Sequence, residues 1–220
     1  MSSMDRQLAC HNMVVQQVRP WNVNNDHVIE LLEEVPREAF VPADCENLAY
    51  CDTQIPLGHG QVMMPPVLEG RMLQALDVQP TDTVLEVGTG SGFMTAMLAK
   101  MARHVHSVEI NPELSAAAAV NLEKAGIVNV TLAEGDASTG WSHYAPYDVI
   151  AVTGSLPILD EGFQQLLKVG GRLFAIIGES PVMEAVLITR TSELEWTHES
   201  LFETDIPALE NAPVPEHFEF

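Results

Sequence analysis

The chain has 220 residues, 46% of them hydrophobic, enough for one α/β domain with a sizeable core. Its 31 acidic residues against 10 Lys and Arg give a formal net charge of −21, which repels phosphate backbones and argues against nucleic acid as a partner. No apolar run is long enough to span a bilayer, and the opening MSSMDRQLACHN lacks the basic start and apolar core of a secretory signal, so the expected compartment is the cytosol, with no membrane partner.

From the N terminus, residues 1–80 read as a mostly helical cap that ends in an irregular loop. Leu8, Met13, Val14 and Val18 recur near helical spacing, as do Val28, Leu31, Leu32 and Val35, with Asn25 or Asp26 placed to cap the second helix. Cys10, Cys45 and Cys51 show no C-x-x-C spacing; they are expected to be buried small hydrophobes rather than a disulfide framework or a zinc site. Pro36 and Pro42 break the chain around Phe40 and Val41, an irregular stretch runs from Tyr50 to Pro66, and 67–76 forms a short amphipathic helix.

Over 81–190 strands and helices alternate. Strands are predicted at 83–87, 104–110, 128–136 and 147–154, and a closing pair at 170–178 and 184–190. Helices fall at 93–101, from Pro112 through the alanine-rich run 115–119, and at 158–167; Met94, Met97, Leu98 and Met101 recur at helical spacing as core positions. Such βα units predict a mostly parallel sheet flanked by helices. After Arg190 there is no Lys or Arg, while Glu193, Glu195, Glu199, Glu203, Asp205, Glu210, Glu216 and Glu219 accumulate. This acidic segment, 191–220, reads as a solvated face, with a docking surface for a basic partner as the alternative. Its last residues, with three prolines, either cross the sheet edge or lie free.

The chemistry-bearing motif is Glu86-Val87-Gly88-Thr89-Gly90-Ser91-Gly92, between a strand and a helix. Glycines there let the backbone turn sharply and approach a ligand closely. A dinucleotide fingerprint needs Gly at 93, where this chain has Phe. The E-x-G-x-G-x-G form resembles instead the first loop of S-adenosylmethionine-dependent methyltransferases of the Rossmann-like class I fold. Glu109, ending the second strand before Ile110, is placed to accept hydrogen bonds from ribose hydroxyls; Asp136, after the third and before Ala137, to accept from an adenine amino group. The sulfonium of that cofactor is cationic, so Glu86 and acidic surroundings favour it.

Further segments narrow the resemblance. MVVQQVRPWNVNNDHVIELLEEVPREAFVP, LAYCDTQIPLGHGQ, VLEVGTGSGFMTAMLA, PYDVIAVTG and LLKVGGRLF occur in an order similar to that of the protein-L-isoaspartate O-methyltransferase family, over about 13–178. The resemblance implies S-adenosylmethionine as cofactor and, as acceptor, the side-chain carboxylate formed when asparagine or aspartate isomerises, the first step of protein repair. The helical reading of residues 1–80 makes them a helical N-terminal addition to that fold. The family usually reads G-Q-T-I-S-x-P where this chain has Gly60-Gln61-Val62-Met63-Met64-Pro65-Pro66, so Val62 stands for the threonine and Met64 for the serine regarded as catalytic. The catalytic residue is thereby left unassigned, and isoaspartyl activity is expected to be weak.

His59, Gln61, Val62, Met63, Met64, Thr153 and Ser155 are the expected lining of the acceptor pocket, His59 as a general base for a hydroxyl or amine acceptor and Thr153 and Ser155 as donors. Met63 and Met64 either re-line that pocket or point into the core. His104 and His106 share a strand face at i, i+2 but lack a third ligand, so no metal site is assigned. The alternatives to isoaspartyl transfer are methylation of a small apolar acceptor, or a cofactor-binding interaction protein without turnover. The sequence assigns no oligomeric state.

Overall fold

The computed structural model describes residues 3–215. Helix α1 (Ser3–Met13) passes through a π-type turn, Val14–Val18, and a 3-10 turn, Arg19–Trp21, before α2 (Asp26–Glu34). Asn25 caps α2, its side-chain oxygen accepting from the His27 and Val28 amides. Met13, Val14 and Val18 are buried, whereas Leu8, expected on the same stripe, is 60% exposed. The π-type turn adds a residue per turn and rotates the stripe away from it. Of the cysteines only Cys10 is buried; Cys45 is half-buried and Cys51 exposed, so the expectation of three buried thiols is corrected.

The stretch expected to be irregular contains a small hairpin, β1 (Ile55–Gly58) and β2 (Gln61–Met63), leading into α3 (Pro66–Leu76). Its turn residues Gly58, His59 and Gly60 all have positive φ, which explains the glycines. Pro56 and a shift in register hid so short a hairpin from pattern reading.

The main sheet follows: β3 (Thr83–Val87), α4 (Phe93–Met101), β4 (His104–Glu109), α5 (Pro112–Lys124), β5 (Val130–Glu134), β6 (Tyr147–Leu156), α6 (Glu161–Gln165), β7 (Leu167–Glu179), β8 (Val182–Ser192) and β9 (Glu195–Thr204). Strand order is β5-β4-β3-β6-β7-β8-β9, with β5 to β7 mutually parallel and β8 and β9 antiparallel. The helix expected at 158–167 shrinks to one turn because Leu167 already pairs with Tyr147 as the start of β7. Strand β9 was not foreseen: it is an exposed edge, rich in acids, with no apolar alternation to read.

Alternation along the strands divides the core. Val84, Val149, Ala151, Phe174 and Ile176 join the face covered by α2, α3 and α4, whereas Leu85, Ile150, Val152, Leu173 and Ala175 join the face covered by Phe163 of α6. Burying both faces explains the near-continuous apolar runs. The chain winds from β3 outward through β4 to β5 and then returns to β6 on the other side of β3. At that reversal a crevice opens beyond the carboxyl ends of the strands. No helix among the described residues is long and apolar enough to cross a membrane.

Candidate active site

A cleft of about 560 Å³, counting space open to solvent, lies at that reversal. Gly88 leaves β3 with φ +95°, and a Cβ there would lie 2.5 Å from Thr153 Oγ1, so both conformation and space require glycine. Thr153 reaches the loop because β6 slips register against β7 between the pairs Ala151–Phe174 and Ser155–Ile176, and its hydroxyl sits 2.9 Å from the Val87 carbonyl and 2.5 Å from that of Gly88. Glu109, nearly buried at the end of β4, accepts from the Gly90 amide at 2.8 Å and the Asn111 amide at 3.0 Å. Asp136 follows β5; the Ser138 amide donates to one oxygen at 3.0 Å and the Asn211 side chain to the other at 2.9 Å. The Ser138 amide above all holds its carboxyl below the usual range, so it is ionised at neutral pH. Glu109 and Asp136 line the same cleft, together with Gly88, Gly90, Ile110, Ala137, Thr153, Gln61 and Val62.

Several expected site residues lie outside this cleft. Glu86 is fully buried, lines no part of the cleft, and accepts from Thr95 Oγ1 at 2.5 Å and Ser107 Oγ at 2.6 Å. Burial pushes its carboxyl up to about 7. On β3 its parity points it into the core rather than toward a sulfonium. Gly92 opens α4 and lets it approach α5: a Cβ would lie 3.3 Å from Ala118. Thr89 and Ser91 are buried, with Thr89 Oγ1 bonded to Ser107 Oγ; both line a neighbouring cavity instead. Ser155, expected as an acceptor-pocket donor, is buried and donates to the Ile206 carbonyl.

His59 lines neither the cleft nor the neighbouring cavity. It stands exposed at the hairpin tip, its Nε2 3.1 Å from Glu113 Oε2 at the start of α5, so it ties the hairpin to the far wall. Met63 and Met64 are 4% and 3% exposed, belong to the core, and line the neighbouring cavity along with Val62, Leu57 and Phe93. Among the described residues no group of three possible ligands is placed for a metal; His104 bonds to Thr131 and His106 stacks on Tyr144.

Sequence reading missed two features. Beneath the loop, fully buried Arg37 donates from Nη2 to the Met64 carbonyl at 2.6 Å and from Nη1 to Glu69, and its guanidinium lies 4.9 Å from the Phe93 ring centre. Burial, partly offset by Arg37, pushes the Glu69 carboxyl up to about 7. The available signal was a single acid within the apolar run PPVLEGRML. The second is the C-terminal segment, whose Leu209 and Glu210 line the cleft. It is pinned where the Ser155 amide donates to Pro207 and the Leu209 amide to Ser155. A Cβ on Gly154 would lie 2.7 Å from Leu209 Cδ2, so that glycine makes room for the segment. Glu216, Glu219 and the closing Phe-Glu-Phe lie outside the described residues.

Comparison with known proteins gives a consistent result. The family model described as Protein-L-isoaspartate(D-aspartate) O-methyltransferase matches residues 9–205. Similar proteins include protein-L-isoaspartate O-methyltransferase 2 of Marinobacter nauticus, 38% identical over 86% of this chain and 86% of its own. That of a Picosynechococcus strain is 39% identical over 83% and 82%. A solved protein-L-isoaspartate O-methyltransferase superposes with TM-score 0.79 at 24% identity, covering 94% of this chain and 66% of the other. A Plasmodium falciparum β-aspartate methyltransferase structure in complex with S-adenosyl-L-homocysteine also gives 0.79, at 20% identity over 93% and 98%.

Proposed function

The chain belongs to the protein-L-isoaspartate(D-aspartate) O-methyltransferase family, and from that premise we propose that it is a cytosolic enzyme that methylates an acceptor held under the β1–β2 hairpin, with isoaspartyl carboxylates as slow acceptors. It is an S-adenosylmethionine-dependent methyltransferase. One observation carries the reading: Gly88, Glu109 and Asp136, from the ends of adjacent strands, meet in one cleft beside a loop without hydroxyls.

The residues present fit the cofactor. Gly88 leaves no Cβ where the amino-acid part would approach the loop. Each Glu109 oxygen accepts one backbone N–H and keeps acceptor capacity for a ribose hydroxyl. Asp136, ionised, would accept from the adenine amino group, with Ile110 and Ala137 lining the same wall. When bound, the cofactor supplies a methyl group activated by its sulfonium.

The acceptor half explains the slowness. A carboxylate is ionised near neutral pH, its ordinary pKa being about 4, so it needs positioning and desolvation rather than a base. Val62 and Met64 supply no donor to hold it. A missing hydrogen bond to a charged group costs roughly 1.5–3 kcal/mol, one to two decades in rate. Walls of Met63 and Met64 further penalise an unpaired charge. The same apolar lining favours a small apolar acceptor as the second reading. Calorimetry is expected to show binding of S-adenosylmethionine, and a methyl-release assay on an isoaspartyl peptide to give little product. Absence of cofactor binding would remove the methyltransferase reading, and turnover matching that of a hydroxyl-bearing relative would remove the acceptor reading.

A further inference from the structure

Glu69 stands apart from the residues assigned so far. It is fully buried and lines the cavity formed by Leu57, Met63, Met64 and Phe93, which shares Val62, Gly88, Gly90 and Thr153 with the cofactor cleft. One oxygen, Oε2, is taken by Arg37. The other, Oε1, is buried with no hydrogen-bond partner. A buried acceptor without a donor is costly, so one that also lines a cavity calls for an explanation, a bound group or a catalytic role among them. The cavity is otherwise hydrocarbon, sulfur and backbone, apart from three hydroxyls: Thr89 is bonded to Ser107, Thr153 donates to the Gly88 carbonyl, and Ser91 Oγ accepts from the Phe93 amide.

Resting on the methyltransferase reading above, we infer that Glu69 Oε1 receives the proton of a neutral N–H or O–H acceptor, so that the preferred substrates are small apolar molecules carrying such a group. A carboxylate in this cavity meets a fixed carboxylate, with only the Ser91 hydroxyl left to donate to it; a neutral N–H meets a side-chain acceptor lacking a partner. On transfer, the acceptor nitrogen or oxygen forms a bond to the methyl carbon and the methyl–sulfur bond breaks with its electron pair left on sulfur. The acceptor's proton passes to Glu69. The charged groups acting on Glu69 are Arg37, which favours its ionised form, and Asp52, which opposes it.

The test uses the full chain saturated with S-adenosyl-L-homocysteine, whose own binding is measured first; failure there counts against the methyltransferase reading, not this inference. Benzimidazole and 2-naphthol are then titrated against benzoate and 2-naphthoate at about pH 8, where both carboxylates are ionised and the benzimidazole is neutral. The neutral probes are expected to bind at least tenfold more tightly. With S-adenosylmethionine, methylation of benzimidazole should rise with pH and level off above about 7, as Glu69 ionises. Glu69→Gln should flatten that profile and slow the neutral probe at least a hundredfold, with cofactor affinity unchanged within threefold. If that variant fails to fold, the wild-type preference and pH profile still decide. Carboxylates binding as tightly as the neutral probes, a flat wild-type profile, or neither neutral probe binding would each overturn the inference.

Discussion

At the residue scale, two substitutions test how side chains divide between site and core. Val62 lines the cofactor cleft and Met64 sits in the core beneath it, so Val62→Thr with Met64→Ser restores both missing hydroxyls at a price in packing. Isoaspartyl turnover is expected to rise at least tenfold, while large-to-small change at Met64 costs roughly 2–5 kcal/mol of stability. Peptide methylation well below the melting temperature checks it; no gain would mean that the hydroxyls are not what limits the reaction. Glu86 tests burial. Its folded-state carboxyl is raised from the ordinary 4.5 to about 7, so the folded state holds this proton more tightly. The associated stability is complete below the ordinary range and is lost as pH rises through the window up to about 7. Relative to Glu86→Gln, which cannot ionise, the wild type should therefore lose about 1–3 kcal/mol over that window, read from urea melts at a series of pH values. Parallel pH curves for the two proteins would refute it.

At the element scale, the cleft is assembled from pieces far apart in the chain. The β1–β2 hairpin supplies Gln61 and Val62 and is tied across by His59 and Glu113. The register slip in β6 brings Thr153 to the loop and turns Ser155 toward the C-terminal segment. That segment then supplies Leu209 and Glu210 to the wall, and Asn211 to Asp136. Gly154→Ala isolates this last contribution: its backbone has no positive φ, so the added methyl acts through its close approach to Leu209. S-adenosylmethionine affinity is expected to fall at least fivefold by calorimetry, with the melting temperature lowered by only a few degrees. Unchanged affinity would exclude the segment from cofactor binding.

At the scale of the whole molecule, the net charge of −21 is spread over a surface with few cations to pair it. The ion pairs among described residues include mostly exposed ones, such as Lys100–Glu34, that contribute little. Self-repulsion therefore outweighs attraction, and screening should relieve it. Raising sodium chloride from about 50 to 300 mM is expected to increase the melting temperature by a few degrees; a decrease would show that specific ion pairs dominate. The acids gathered after Arg190 have a structural placement as well: β9 is an exposed edge, where like charges discourage pairing with another chain.

The sequence by itself determined the alternating strands and helices, the glycine loop, and the carboxylates of Glu109 and Asp136 at successive strand ends. Each of these is fixed by local period or by direct attachment to a strand terminus. The missing hydroxyls at 62 and 64 were equally legible, since they depend only on residue type at a recognisable loop. Tertiary structure alone decided the rest. Strand parity sends Glu86 inward, and a register slip sends Ser155 to the C-terminal segment. Long-range packing brings His59 to Glu113, Arg37 to Glu69, and Leu209 into the cleft. Those outcomes turn on which distant segments come to lie side by side, and the energy that chooses among them resides in the burial of the whole core, not in any short stretch of chain.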